Sequence, residues 1–423
     1  MQKNITLINP MSYRKYTQPP MGLLLLASIL QQDGHHVNIV DNSIGWGSIW
    51  NSDVVGITAM TPDIDNALNI ASRIKRYHPD TKIILGGAHA TIMPEETLNI
   101  DIDTLVVGEG DKAILEVINN DIDGIYKSDT KVDVEDLPLL AYNLVPHRRY
   151  SPHPPHGRKK PFMAMITSRG CPYTCSYCSK AVFGNKYRAQ SADRVGFEID
   201  CYTRRYGVKE IAFYDDVFTL DKDRIHKLCD VLLTRNIKIA WTCESRVDLV
   251  DYELLKHMKE AGCYSIAYGI ESGNQCILDA LNKRIRLSDI EQAVKDTRKA
   301  KIEAIGYFML GAPNETLDTM KDTVKLAIDL KLDYAQFSKT VPFPGTRLYE
   351  EYGDGRKSWS EFQYTQKTDT EFIDNNIDTN YQISNAYRRF YLRPSYIWQR
   401  LSGIRNIEDI NIMVKGLSML GGM

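Results

Sequence analysis

The chain has 423 residues, 43% of them hydrophobic and 25% charged, with a formal net charge of −2. That length exceeds one ordinary core and predicts two or three domains. The near-neutral balance excludes a strongly basic nucleic-acid surface, and the longest apolar run, residues 22–30, is far too short to span a bilayer. No secretory leader is legible, since Met1 leads almost directly into an apolar strand. Eight cysteines, three of them clustered, read as a metal site in a reducing cytoplasm rather than a disulfide framework.

Residues 1–125 alternate strand and helix. Strands are predicted at 5–9, 36–41, 54–59, 82–85 and 104–107. An apolar helix at 22–33 ends at Gly34. A second helix at 63–77 places Ile64, Ala67, Leu68, Ala71 and Ile74 on one face. This rhythm predicts an α/β fold with a doubly wound, Rossmann-like parallel sheet. Residues 126–160 break the pattern. They are acidic at 133–137 and rich in proline, histidine and basic residues at 147–160, and read as a linker with little regular structure.

The βα rhythm resumes over 161–350. Strands are predicted at 163–167, 210–214, 240–244, 265–270, 304–310 and 334–340, with helices such as 224–234, 252–261 and 317–330 between them. Six βα units predict an open partial barrel, three-quarters of an eight-stranded one, with ligands at the carboxyl ends of its strands. Residues 351–423 read as mostly helical. Their Arg388, Arg389, Arg393, Arg400 and Arg405 fit either a solvated helix face or recognition of an acidic substrate.

Just after the first barrel strand comes Arg169-Gly170-Cys171-Pro172-Tyr173-Thr174-Cys175-Ser176-Tyr177-Cys178. The spacing is C-x3-C-x2-C. Three thiolates hold three irons of a cubane cluster that a closed site ligates with four cysteines, so one iron is left open for a small molecule. A structural zinc site is the other metal reading, and it asks for a fourth Cys or His. Cys201, Cys229, Cys243, Cys263 and Cys276 are scattered, make no second C-x2-C, and read as core or strand-end residues.

This motif resembles the signature of the radical S-adenosylmethionine enzymes. The resemblance implies a 4Fe–4S cluster on Cys171, Cys175 and Cys178, and S-adenosylmethionine on the open iron. It places Tyr177 near the adenine, and Asp215 and Asp216 near the amino group. Arg246 is expected on the carboxylate, Glu271 on the ribose hydroxyls or an arginine, and the backbone around Gly311 near the adenine.

Glycine turns follow the strands of residues 1–125. Pro20-x-Gly22 opens the first helix, Gly56-Ile57-Thr58 continues to Thr61, Gly86-Gly87-Ala88-His89 follows Leu85, and Gly108-Glu109-Gly110 follows Val107. Together they resemble the cobalamin-binding domain that one class of radical S-adenosylmethionine enzymes carries. The resemblance implies a corrin against Gly22, Thr58, Thr61, Gly86, Gly87, Gly108, Glu109 and Gly110. His89 is read as a hydrogen-bond donor to a corrin side chain or as turn packing, in preference to a cobalt ligand. The chain lacks the Asp-x-His-x-x-Gly motif of domains that ligate cobalt with histidine, and the loop at 58–62 is the place to look beneath the corrin.

The whole constellation resembles the cobalamin-dependent (class B) radical S-adenosylmethionine methyltransferases. It implies methyl transfer from methylcobalamin to an unactivated sp3 carbon, after hydrogen abstraction by a 5′-deoxyadenosyl radical. A low-potential electron donor is implied as partner, and oxygen sensitivity follows. The substrate is a small molecule, lipid, peptide or protein; the glutamine of methyl-coenzyme M reductase is one such target. Two readings stay beside this one: a cobalamin-dependent cyclase or rearrangement enzyme that transfers no methyl group, and a non-catalytic cobalamin sensor or carrier. Methylthiotransferases are disfavoured, because no cysteine precedes Cys171. Tyr307, Tyr334 and Tyr349 are candidates to line the pocket, and no acid or base is assigned.

Overall fold

The five strands predicted in the first 125 residues form, and a sixth joins them. In the computed structural model they are β1 (Asn4–Asn9), β2 (His36–Asp41), β3 (Val54–Thr58), β4 (Lys82–Gly86), β5 (Thr104–Val107) and β6 (Gly124–Lys127). The structure describes residues 2–12, 17–49, 51–127, 131–152, 157–353, 358–363 and 370–402. All six strands pair in parallel, in the order β2-β1-β3-β4-β5-β6. Between them run α1 (Met21–Gln32), α2 (Ile64–Tyr77), the short α3 (Ala88–Ile92) and α4 (Pro94–Thr97), and α5 (Gly110–Asn119). Runs such as Val54, Val55 and Ile57, all buried, are what a strand covered on both faces requires. Leu23, Leu24 and Ala27 of α1 and Ala113 and Val117 of α5 pack on one face of the sheet. Ile64, Ala67, Ala71 and Ile74 of α2 pack on the other. The strand order reverses direction at β1, so the ligand crevice of such a sheet opens at the ends of β1 and β3, by Asn9 and Thr58.

β6 was not expected. It is an edge strand of four residues with no buried position, so its sequence carries no apolar alternation to reveal it. Residues 131–152 have only one-turn 3-10 segments, yet they are packed. Tyr142 and Tyr150 are fully buried. Tyr142 Oη donates to the Ala164 carbonyl at 2.7 Å, and Tyr150 Oη donates to Asp41 Oδ2 at 2.7 Å. The segment thus ties the end of β2 to the first strand of the second sheet.

That strand is β7 (Phe162–Met165). A two-stranded antiparallel ribbon follows, β8 (Ser168–Arg169) with β9 (Arg188–Ala189). Then come β10 (Glu210–Phe213), β11 (Ala240–Ser245), β12 (Cys263–Glu271), β13 (Glu303–Leu310) and β14 (Tyr334–Lys339). The second sheet is parallel throughout, in the order β14-β13-β12-β11-β10-β7, which is the expected open six-stranded arrangement. Helices α6 (Ala192–Tyr206), α7 (Lys222–Thr234), α8 (Tyr252–Glu260), α9 (Gln275–Ala280), α10 (Leu287–Lys299) and α11 (Leu317–Asp329) connect the strands. Several start on capping side chains that accept from the backbone of the first turn: Ser191 for α6, Asp221 for α7, Asp251 for α8 and Thr316 for α11. One face of this sheet carries Met163, Ile211 and Trp241 into the helix-covered core. On the opposite face Met21, at the start of α1, packs on Phe162, Ala164 and Ala212. The two sheets therefore meet, with the first helix of one against the inner face of the other.

Beyond α12 (Arg347–Tyr352), the described tail is helical as expected, with α13 (Thr379–Tyr391) and α14 (Pro394–Ser402). It has an identifiable task. The Tyr387 hydroxyl accepts from Phe337 N at 3.1 Å, and the Tyr391 hydroxyl bonds both Ala335 N at 3.0 Å and Ala335 O at 2.9 Å. α13 thereby covers backbone groups on the outer edge of β14, which would otherwise be open to pairing. Arg400 lies over the Tyr334 ring at 4.2 Å, 3.6 Å from Asp333, and so braces this edge. Arg388 and Arg389 are exposed, and Arg405 lies outside the described residues.

Candidate active site

The cysteine loop hangs between β8 and β9. Its first turn depends on Gly170, whose φ is +83° and whose added Cβ would stand 2.4 Å from the Lys186 carbonyl oxygen. No other residue fits there. Cys171 and Cys175 are half-buried and Cys178 is more open, and none is in a disulfide. Burial pushes the Cys171 thiol up; Tyr173 N and Lys180 oppose this, while Asp216 and Cys175 add to it. Arg246 packs under the loop, its guanidinium 3.7 Å from the Tyr173 ring centre and its Nη1 3.9 Å from Cys175 Sγ. The donor set fits an iron–sulfur cluster: three soft thiols on one loop, free of disulfides, with a fixed cation beside one of them. Among the described residues no group of three or more His, Cys, Asp or Glu is gathered as ligands of a single ion. A cubane needs no such gathering, because each thiolate takes its own iron.

The strand-end residues differ in what holds them. Asp215 is a clamp: it is 1% exposed and accepts from Thr167 N at 3.1 Å, from Thr167 Oγ1 at 2.8 Å and from Ser168 Oγ. Its other oxygen, Oδ2, has no partner among the described residues. Asp216 lies close enough to the loop for its charge to raise the Cys171 and Cys178 thiols. Arg246 was expected to grip a carboxylate. Its Nε and Nη2 are instead engaged by Asp248 at 3.0 and 3.1 Å, and Nη2 also donates to the Lys283 carbonyl.

Glu271 ends β12 at a φ of +66°. Its protein partner is not an arginine but Lys283, 2.8 Å away, and Tyr177 Oη donates to the same oxygen at 2.8 Å. Lys283 Nζ also reaches Tyr177 Oη at 3.0 Å. Glu271 and Lys283 thus lock Tyr177, the residue before Cys178. Lys283 escaped the sequence reading because a lone lysine in Asn282-Lys283-Arg284 carries no signal that it is buried.

Gly311, at φ +85°, is held by Glu315, which accepts from Gly311 N at 2.5 Å and Ala312 N at 3.0 Å. Burial pushes the Glu315 carboxyl up to about 7, with those two amides opposing. Between about pH 4.5 and 7 the folded chain holds a proton that the unfolded chain has released, so stability falls as pH rises through this window. Glu315→Gln should flatten that part of the melting-temperature profile; an unchanged slope would refute the assignment. On β11, Glu244 accepts from Tyr307 Oη at 3.1 Å, and its carboxyl is likewise pushed up to about 7 by burial.

At the other crevice, Gly22 is exposed, while Thr58, Gly86, Gly87, Gly108 and Gly110 are half-open. Glycine at these strand ends leaves bare backbone, a floor fit for a broad flat ligand. Gly87 has φ +104°, and a Cβ there would stand 2.8 Å from Ala59 O and Thr58 Oγ1. Thr61 is buried, with Oγ1 3.3 Å from His89 Nδ1. His89 is 1% exposed and meets the Trp359 ring edge-on at 4.7 Å. This matches turn packing better than an open coordination position. Glu109, expected at the corrin, is 4% exposed and taken up by two arginines: Arg169 Nη1 at 2.7 Å, and Arg188.

The chain matches the B12 binding domain model over residues 11–118 and the radical SAM superfamily model over residues 165–327. It is 34% identical over 417 residues to an uncharacterized methyltransferase of Pyrococcus horikoshii, covering 90% of this chain and 89% of that one. The chain belongs to the cobalamin-dependent radical S-adenosylmethionine methyltransferase family. Its cofactors are a 4Fe–4S cluster, S-adenosylmethionine and cobalamin, and such an enzyme needs a reductant.

The anaerobic magnesium-protoporphyrin IX monomethyl ester cyclase of Rubrivivax gelatinosus is 27% identical over 90% of this chain and 75% of its own. The fold is that of the radical S-adenosylmethionine methyltransferase TsrM from Kitasatospora setae, with a TM-score of 0.72 at 17% identity over 93% and 90% of the two chains. No helix of this radical S-adenosylmethionine enzyme, among the described residues, is long and apolar enough to cross a membrane.

Proposed function

We propose that this enzyme transfers a methyl group to an unactivated sp3 carbon of its substrate. The observation that carries the reading is the apposition of the two crevices: the turn after β5 is ion-paired to Arg169, next to the cysteine loop, while Met21 packs on the inner face of the second sheet. When bound, the cluster with S-adenosylmethionine supplies hydrogen abstraction and cobalamin supplies the methyl group. The chain's own residues hold these groups. Cys171, Cys175 and Cys178 take three irons. Arg246 sets a positive charge beside Cys175 rather than on the S-adenosylmethionine carboxylate. Asp215 Oδ2 is the buried acceptor offered to the amino group. Tyr177, fixed by Glu271 and Lys283, walls the adenine side. Glu244 with Tyr307 presents an acceptor on the inner face for a hydrogen-bonding substrate. The protein or peptide target, a methyl-coenzyme M reductase glutamine included, is the finer form of this reading.

The test is turnover of reduced, reconstituted enzyme with methyl-deuterated S-adenosylmethionine and candidate substrates. Expected are 5′-deoxyadenosine and a product heavier by one labelled methyl group. The likeness to the Rubrivivax cyclase favours a second reading, in which product forms without added methyl; that mass result would replace the first. The corrin crevice has its own check. Gly87→Ala should abolish cobalamin retention while leaving the cluster's iron content intact, because the new Cβ meets backbone at an unfavourable φ. His89→Asn should leave the absorption spectrum of bound cobalamin unchanged; a spectrum change would make His89 a ligand.

A further inference from the structure

Between the two crevices lies a cluster of buried charges that pair with one another. Arg169 immediately precedes Gly170 and Cys171. Its Nη1 donates to Glu109 Oε2 at 2.7 Å and to Asp111 Oδ2 at 2.5 Å, and its Nη2 donates to Asp111 Oδ1 at 3.1 Å. Arg188, across the ribbon from Arg169, bonds both oxygens of Glu109 and the Val132 carbonyl. The Arg169, Glu109 and Asp111 side chains are 8%, 3% and 6% exposed. Glu109 and Asp111 flank Gly110, in the turn proposed to face the corrin. Arg169 and Arg188 are the two ends of the cysteine loop. The four charges cancel, and each pair is desolvated, so the geometry is stiff. A ribbon two residues long could not hold a loop of eighteen residues by itself.

We propose that Arg169 is a positioning residue through which the corrin turn sets the placement of the cluster loop, so that cobalamin binding is felt at the cluster. This rests on the corrin reading of the β5 turn. A rigid bidentate fork transmits a small displacement of that turn to the first cysteine, whereas a solvated pair would absorb it. The predicted coupling is reciprocal: bound S-adenosylmethionine should alter cobalamin affinity by the same factor that bound cobalamin alters S-adenosylmethionine affinity.

The experiment uses the full chain, reconstituted anaerobically with iron and sulfide. Electron paramagnetic resonance of the reduced cluster with S-adenosylmethionine is recorded with and without hydroxocobalamin, and cobalamin uptake is followed separately by its absorption. In the wild type, cobalamin should shift the cluster's g values. In Asp111→Asn the shift should vanish, with cobalamin still bound and iron content unchanged; Asp111→Glu, which keeps the charge, should restore part of it. No shift in wild-type protein that has demonstrably taken up cobalamin overturns the proposal without needing any variant to fold. A full shift in Asp111→Asn overturns it equally. Failure of the wild type to take up cobalamin at all would instead sink the corrin reading beneath it.

Discussion

Cys175→Ala, reconstituted with iron and sulfide, should lose its cluster iron and cleave no detectable S-adenosylmethionine, while Cys276→Ser should behave as wild type. The asymmetry follows from placement. Cys276 is exposed, at the first turn of α9, and is not part of the C-x3-C-x2-C motif between β8 and β9. Cys175 is half-buried in that loop with Arg246 Nη1 3.9 Å from its sulfur. A cluster held by three thiolates already has one fewer protein ligand than a closed cubane, so removing another leaves two anchors and two loose edges. Because the loop is fixed by Gly170 and by Arg246, the apo form of Cys175→Ala should melt close to wild type. Iron content and 5′-deoxyadenosine formation are the measurements. Full iron in Cys175→Ala, or its loss in Cys276→Ser, would take the triad out of its role.

What the sequence showed and what it hid divide along a physical line. Parallel strands buried on both faces are apolar runs, so β1, β3, β4 and the six strands of the second sheet were legible from residue type and spacing. The cysteine motif was legible because its chemistry depends on three residues close in the chain. The supports of the site were not. Arg169 finds Glu109 about sixty residues away, Glu271 is neutralised by Lys283 from the far side of α9, and Glu315 serves Gly311 from the start of the next helix connection. Each is an ordinary charged residue whose burial only the tertiary fold reveals. Glu109 and Arg246 illustrate the consequence. Residue type and strand-end position pointed both at ligands, yet in the structure both also answer other protein charges. A charge buried next to a cofactor site has to be balanced by the protein before it can serve a ligand.

The Lys283–Glu271 pair carries the largest expected effect on stability. Both side chains are under a tenth exposed, and Glu271 already sits at a φ of +66°. Lys283→Met keeps the length of the side chain and removes the charge, which leaves the carboxylate facing only the Tyr177 hydroxyl. Breaking a buried pair by deleting one partner costs roughly 3–5 kcal/mol. Glu271→Gln added to Lys283→Met should return most of that loss, because a neutral amide still accepts from Tyr177 and needs no countercharge. S-adenosylmethionine binding should not recover with stability. Tyr177 is held by Lys283 as well as by Glu271, and in the double variant its ring keeps one anchor of two. Thermal unfolding of the two variants, set beside calorimetric titration with S-adenosylmethionine, separates these claims. A single variant that melts with the wild type would show that the ion pair does not hold the end of β12. A double variant that binds S-adenosylmethionine normally would show that the pair holds the strand but not the adenine wall.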